Sequence, residues 1–318
     1  MKANWTSAVA SSMVKSLLGS TPEKQATPMP DPSGETKAAA PLMLCLGQGY
    51  VGEALIRSLR AKGWRAVGTR RDPPADAPSL LAFNGVATEP LISAITQATA
   101  ILCSIPPGEQ GDPAALALGP AIAKARPAWI GYLSTTGVYG DRAGRWAFED
   151  EALTPQSPEA HRRAMAEAQW RDLGGHVFRL PGIYGPDRGP FERLRAGVER
   201  RIDKPGQVFS RAHRDDIVAA LEASLARPNP GRAYNICDDE PASSADVIAH
   251  AAALIGAPAP PLIPFDSADL SPMGRRFYAE CKRVSNARAK AELGWRPQFP
   301  TYREGLAAIL QAEADAQT

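Results

Sequence analysis

At 318 residues, with 44% hydrophobic and 22% charged side chains, the chain has an ordinary globular composition and the length for one large core, or a core with a smaller lobe. Its net charge of +2 comes from nearly balanced acids and bases, without the basic run of a nucleic-acid binder, and no apolar stretch approaches the roughly 20 residues that span a membrane. The four cysteines, Cys45, Cys103, Cys237 and Cys281, lack paired spacing, which fits free thiols in a reducing, cytoplasmic setting.

Residues 1–40 are rich in Ser, Thr, Ala, Pro and Lys without sustained periodicity, and read as a disordered extension. An organelle import segment is the alternative, against which the lack of arginine up to Pro22 counts. From residue 41 the pattern is regular. An apolar run at 42–46 ends at Gly47, and a helical segment with Ala54, Leu55 and Leu59 spaced for burial runs to Lys62. Gly63 closes that helix and 64–69 reads as the next strand. Further strands are predicted at 80–83, 100–105, 128–134, 176–180 and 233–237, with helices at 114–125, 158–173 and 216–226. Ser157 and Pro158 suit the N-cap and first turn of the second of these helices. The alternation predicts an α/β fold, a Rossmann doubly wound parallel sheet. Beyond Ile183 the rhythm loosens. Residues 41–185 and 207–237 are assigned to the Rossmann domain, and 186–206 with 238–318 to a smaller interleaved C-terminal lobe on the substrate side. Thr301 with Glu304 announces its last helix as a capping box.

The chemistry starts at Gly47-Gln48-Gly49-Tyr50-Val51-Gly52. A GxGxxG pattern acquires meaning when it follows a strand and opens a helix. Gly47 then permits the tight turn, Gly49 lets the backbone approach a pyrophosphate, and Gly52 allows close helix–strand packing. Tyr50 and Val51 open the helix whose free N–H groups face the phosphates. An acid at the end of the second strand would mark NAD. Here that end reads Thr69-Arg70-Arg71, and Arg70 in the acid's register points to the 2′-phosphate of NADP, with NAD the alternative.

Several segments resemble the extended short-chain dehydrogenase/reductase family, the group of NAD-dependent epimerases and dehydratases. They are residues 133–140 (Leu-Ser-Thr-Thr-Gly-Val-Tyr-Gly), 179–186 (Arg-Leu-Pro-Gly-Ile-Tyr-Gly-Pro), 213–217 (His-Arg-Asp-Asp-Ile), 234–236 and 292–297. The resemblance implies that Thr135 holds the substrate oxygen and that Pro181 and Ile183 lie beside the nicotinamide. By it, Ser104-Ile105-Pro106 forms the turn next to the cofactor.

The family's Tyr and Lys, four residues apart, should fall in the helix after Ser157. One register puts Glu159 and Arg163 there; the other offers His161 and Met165. Neither supplies the tyrosine, so the chain resembles the atypical, YeeZ-like branch without the dyad. Arg163 can hold a ribose as a fixed cation, but it does not titrate. A plain i,i+4 charge ladder through Glu159, Arg163 and Glu167 is the competing reading. Tyr132 and Tyr139 are replacement acids to weigh against packing roles, and Arg188 and Arg211 are candidate grips for an anionic substrate. The scattered histidines offer no metal site. His213 with Asp215 and Asp216 reads as a loop anchor and helix cap. Two functions compete. One is an NADP-dependent oxidoreductase or epimerase acting on a hydroxyl/ketone substrate, such as a sugar nucleotide. The other is a catalytically inactive NADP-binding sensor or partner-binding protein.

Overall fold

In a computed structural model that describes residues 39–316, the apolar runs of the sequence become the strands of a single central sheet. The extension read from residues 1–40 lies outside the described residues except for its last two positions. The first half contains β1 (Leu42–Leu46), α1 (Tyr50–Ala61), β2 (Arg65–Arg70), β3 (Leu80–Ala82), α2 (Glu89–Gln97), β4 (Ala100–Cys103), α3 (Pro113–Ala125) and β5 (Trp129–Thr135). Next come β6 (Trp146–Ala147), α4 (Pro158–Asp172), β7 (His176–Leu180), β8 (Gly182–Tyr184), α5 (Phe191–Arg195), β9 (Arg201–Asp203), β10 (Arg211–His213), α6 (Arg214–Ala226) and β11 (Ala233–Asn235). The chain closes with α7 (Ser244–Leu254), β12 (Leu262–Pro264), α8 (Pro272–Phe277), β13 (Arg283–Val284) and α9 (Tyr302–Asp315).

Seven of these strands form a parallel sheet in the order β11-β7-β5-β4-β1-β2-β3. Alternate side chains of one strand serve opposite faces. Met43 and Cys45 enter a core with Leu55 and Leu59 of α1 and Ile217 and Leu221 of α6. Leu44 and Leu46 enter another, with Leu91 of α2, Leu118 of α3 and Trp170 of α4. A strand covered on both faces has no wet positions, which is why β1 reads as an unbroken apolar run. A third core joins Phe191 of α5, Val247 and Ile248 of α7, and Tyr302 and Leu306 of α9. Among the described residues, 40–316 make one compact unit.

The caps behave as their chemistry requires. Ser157 Oγ accepts the Ala160 N–H at 3.1 Å, Thr301 and Glu304 form the reciprocal capping box, and Gly63 takes φ +82°. Three expectations shift. The strand read to residue 105 ends at Cys103, because the Pro106-Pro107 pair ahead offers no N–H donors. The strand read to residue 237 ends at Asn235. Helices α2 and α7 were not singled out; α7 is an alanine-rich segment whose apolar faces lack the sharp period of α1.

The strand order places β1 and β4 side by side with the chain leaving them in opposite directions along the sheet. Crevices for ligands open at the carboxyl ends of such a pair. The glycine-rich turn sits there.

Candidate active site

The turn after β1 is held from both sides. Gly47 has φ +82°, and a Cβ on it would stand 2.7 Å from Ile105 Cγ1. Its N–H donates to Thr69 Oγ1 at 2.8 Å, and its carbonyl accepts from the Ser104 hydroxyl. At Gly52 a Cβ would meet Cys45 Sγ at 2.6 Å, so helix and strand pack at a distance only glycine allows. Gly49 differs. Its backbone is extended, it caps α1 without a side-chain bond, and a Cβ there would meet nothing within 4 Å. Gly49, Tyr50 and Val51 line a groove, so the start of α1 opens onto it, and a helix N-terminus in such a place can hold an anion.

A groove of about 290 Å³ runs from this turn, lined by Gly49, Tyr50, Val51, Ser104, Thr135 and Arg163. Pro181, Ile183 and Arg188 line it too. The Tyr50 hydroxyl donates to Pro186 O at 2.7 Å, and its ring lies 5.5 Å from the Arg188 guanidinium and 5.1 Å from that of Arg214. Arg163 donates to Tyr132 Oη at 3.0 Å and to Leu133 O at 2.8 Å. Arg70 pairs with Glu53 of α1 and donates to Gln48 O at 3.3 Å. Of the anticipated cofactor set, Gly47, Gly52, Thr69, Arg70, Arg71, Ile105 and Pro106 do not line this groove. Thr69 is 1% exposed, its hydroxyl engaged under Gly47. Arg71 and Pro106 are exposed and do not line it. Ile105 packs beneath Gly47.

Thr135 and Pro181 also line a larger cleft of about 570 Å³. The Thr135 Oγ1 accepts the Gly137 N–H at 3.1 Å, which leaves its own proton available to a ligand. Glu159 stands on the same wall at the start of α4, and Phe209, Met273, Arg276 and Phe277 bound the cleft elsewhere. Arg211 lines it as well, but its guanidinium donates to Phe209 O and Ala242 O, both at 2.9 Å. Arg188 belongs to the groove instead.

Helix α4 presents Glu159 to the cleft and Arg163 to the groove. His161 and Met165 are exposed and line neither, so the alternative register points away from the site. The charge ladder is absent as well. Glu159 lies 3.9 Å from Arg162, while Glu167 is buried and bonded to Arg179 at 2.8 Å. Ser134 donates to that same carboxylate at 2.6 Å. Both tyrosines pack. The Tyr132 ring is wholly buried, which raises its hydroxyl pKa. The Tyr139 hydroxyl, pushed up to about 12 chiefly by burial, donates to Asn235 Oδ1 at 2.8 Å. His213 caps α6 through the Asp215 N–H at 3.2 Å.

Sequence reasoning missed the Glu167–Arg179 pair, although an arginine inside the apolar strand His176–Leu180 was its signal. It also missed Phe209, Arg276 and Phe277, which stand in irregular sequence with no motif to mark them. Among the described residues no group of His, Cys, Asp or Glu side chains is placed to hold a metal ion, and no helix is long and apolar enough to cross a membrane.

No family model matches the chain. A solved structure of a conserved protein of unknown function from Silicibacter pomeroyi is 48% identical, covering 88% of this chain and 100% of its own, with a TM-score of 0.78. A 3-diazoavenalumate denitrifying reductase from Streptomyces is 33% identical over 177 residues, half of this chain and 57% of the reductase. The chain therefore spans less than two thirds of that relative. Protein YeeZ of Escherichia coli is 28% identical over 217 residues, 60% of this chain and 76% of YeeZ. At 19% identity, a short-chain dehydrogenase/reductase superfamily protein from Agrobacterium tumefaciens, solved with bound NAD, shares the fold over 87% of this chain and 99% of its own, with a TM-score of 0.66.

Proposed function

From the premise that this chain belongs to one family with the Silicibacter pomeroyi protein and has the extended short-chain dehydrogenase/reductase fold, we propose that it is a nicotinamide-dinucleotide-dependent reductase or epimerase of a small molecule, with NADP preferred. The observation that carries this reading is the open cradle at Gly49, continuous with a groove that ends at Thr135 and Arg163. The N–H groups of α1 would hold the pyrophosphate, Arg70 the 2′-phosphate and Arg163 the nicotinamide ribose. When bound, the nicotinamide supplies or accepts a hydride. The chain's own work is to place the substrate oxygen on the Thr135 hydroxyl and to shut water out of the groove with Tyr50, Pro181 and Ile183. The stretches 186–206 and 238–318 would form the substrate-side lobe; Arg276 and Phe277 stand on the cleft from it. The reductase named among the relatives adds weight to reduction over epimerisation.

Titration with NADPH, followed by quenching of tryptophan emission, tests the assignment. Arg163→Ala is expected to weaken NADPH by about tenfold or more, since a charge-assisted bond is lost. His161→Ala is expected to bind as wild type does. Reversal of these two outcomes would overturn the placement of α4 at the cofactor.

A further inference from the structure

The cleft places an acceptor beside Thr135, yet no histidine, tyrosine or cysteine stands on its lining among the described residues. Its titratable lining among the described residues consists of Glu159, Arg211, Arg276, Glu280 and Lys282. Glu280 and Lys282 pair with each other at 2.5 Å. Arg211 is fixed by backbone carbonyls, and an arginine does not titrate near neutrality. Glu159 accepts from its own backbone N–H and feels Arg276 and Arg162, which hold its carboxyl below the ordinary value. It is an anion at neutral pH. The Tyr132 and Tyr139 hydroxyls are buried and engaged. A neutral ketone that gains a hydride becomes an alkoxide and needs a proton; a cationic acceptor becomes neutral and needs none. A second feature points the same way. Phe209 and Phe277 stack with centroids 4.4 Å apart on the cleft, Phe277 is 56% exposed, and an aromatic face attracts cations.

Resting on the nicotinamide-dependent reading above, we infer that the substrate class is a cationic hydride acceptor, an iminium or an aryl diazonium ion, held against the Glu159 carboxylate and the Thr135 hydroxyl. For an iminium, the incoming hydride forms the new C–H bond and the C=N π pair becomes the nitrogen lone pair. For a diazonium, the hydride forms an N–H bond and gives a neutral aryl diazene, which collapses to N₂ and the arene as its hydrogen passes to carbon. Reduced nicotinamide dinucleotide is the reductant in both and ends oxidised. Arg276, exposed and within electrostatic reach of Glu159, Arg162 and, across the cleft, Arg211 are the charges that oppose a cation here, while Lys282 is offset by Glu280.

The test compares N-methylisoquinolinium with uncharged isoquinoline, by calorimetry at neutral pH on the full chain with NADP present. The wild type is expected to bind the cation about tenfold more tightly, the scale of one charge-assisted contact. Glu159→Gln should abolish that preference, and Arg276→Gln should enlarge it. A structural role for Glu159 would leave the preference unmoved. Equal binding of the two rings by wild type, or an undiminished preference in Glu159→Gln, would overturn the inference. In a second arm, N-methyl-3,4-dihydroisoquinolinium and a benzenediazonium salt are supplied separately with NADPH. Amine or arene production identifies the acceptor, and faster reduction of a neutral ketone than of either cation would also overturn the inference. Heat on NADP addition without cation preference sinks the substrate class alone. No heat on NADP addition sinks the cofactor reading, whatever the rings do.

Discussion

Arg70 shows how a single side chain can be read correctly in position yet incompletely in state. The sequence placed it at the end of the second strand, where β2 does end, but could not show that it already pairs with Glu53. That pair is 39% and 44% exposed, so it contributes little to the fold and can open to a phosphate. Arg70→Ala is expected to weaken NADP about ten- to a hundredfold and NAD little, while Glu53→Gln, which removes the competing carboxylate, should strengthen NADP. Equal losses for both nucleotides would show that Arg70 does not select the cofactor. Asp238 poses a different residue-scale question. Its carboxyl is 3% exposed, has no hydrogen-bond partner among the described residues, and is raised to about 8, chiefly by burial, with Arg211 opposing. Its pKa in the unfolded chain is near 3.8. Between these values the folded protein keeps a proton that the unfolded chain releases, so this group's effect is to lower stability as pH rises from about 4 to about 8. Urea unfolding at pH 5 and pH 8 should show a larger loss in wild type than in Asp238→Asn. Equal losses would mean that the carboxyl finds a partner.

Helix α4 is the element on which the site depends, and its position is set by buried charge. Arg179 on β7 bonds both oxygens of Glu167, its Nη1 donates to Tyr139 Oη at 2.9 Å, and Ser134 at the end of β5 completes the carboxylate. This latch fixes the register by which Glu159 reaches the cleft and Arg163 the groove. Removing one partner of such a pair leaves a desolvated charge, so Glu167→Ala should cost about 3–5 kcal/mol in urea unfolding. Glu167→Ala combined with Arg179→Leu should recover part of it. A single-mutant loss below about 1 kcal/mol would show that Arg179 does not depend on Glu167. The elements themselves were readable where local chemistry is strong. Apolar runs marked the central strands, and Ser157-Pro158 and Thr301-Glu304 marked helix starts. The cleft was less readable, because Phe209, Arg276 and Phe277 come together only through α8 and the segment before β10. No periodicity in the sequence encodes that meeting.

At the scale of the molecule, one parallel sheet carries a cradle at its switch point and a cleft beside it, and Thr135 and Pro181 belong to both. The glycine-rich turn was legible because Gly47 and Gly52 each answer a steric demand. The missing tyrosine was legible as a gap, whereas the chemistry of the gap emerged only from what surrounds Glu159. The claim on which everything else rests is that a nicotinamide dinucleotide occupies the space above Gly49. Gly49→Val tests it with little risk to the fold, because the backbone there is extended and a Cβ would meet nothing within 4 Å. Calorimetric titration of wild type and Gly49→Val with NADPH, each with matching circular dichroism, is the measurement. One-site binding by wild type and none by the variant is the result predicted; binding undiminished in Gly49→Val, or absent from both, would contradict it.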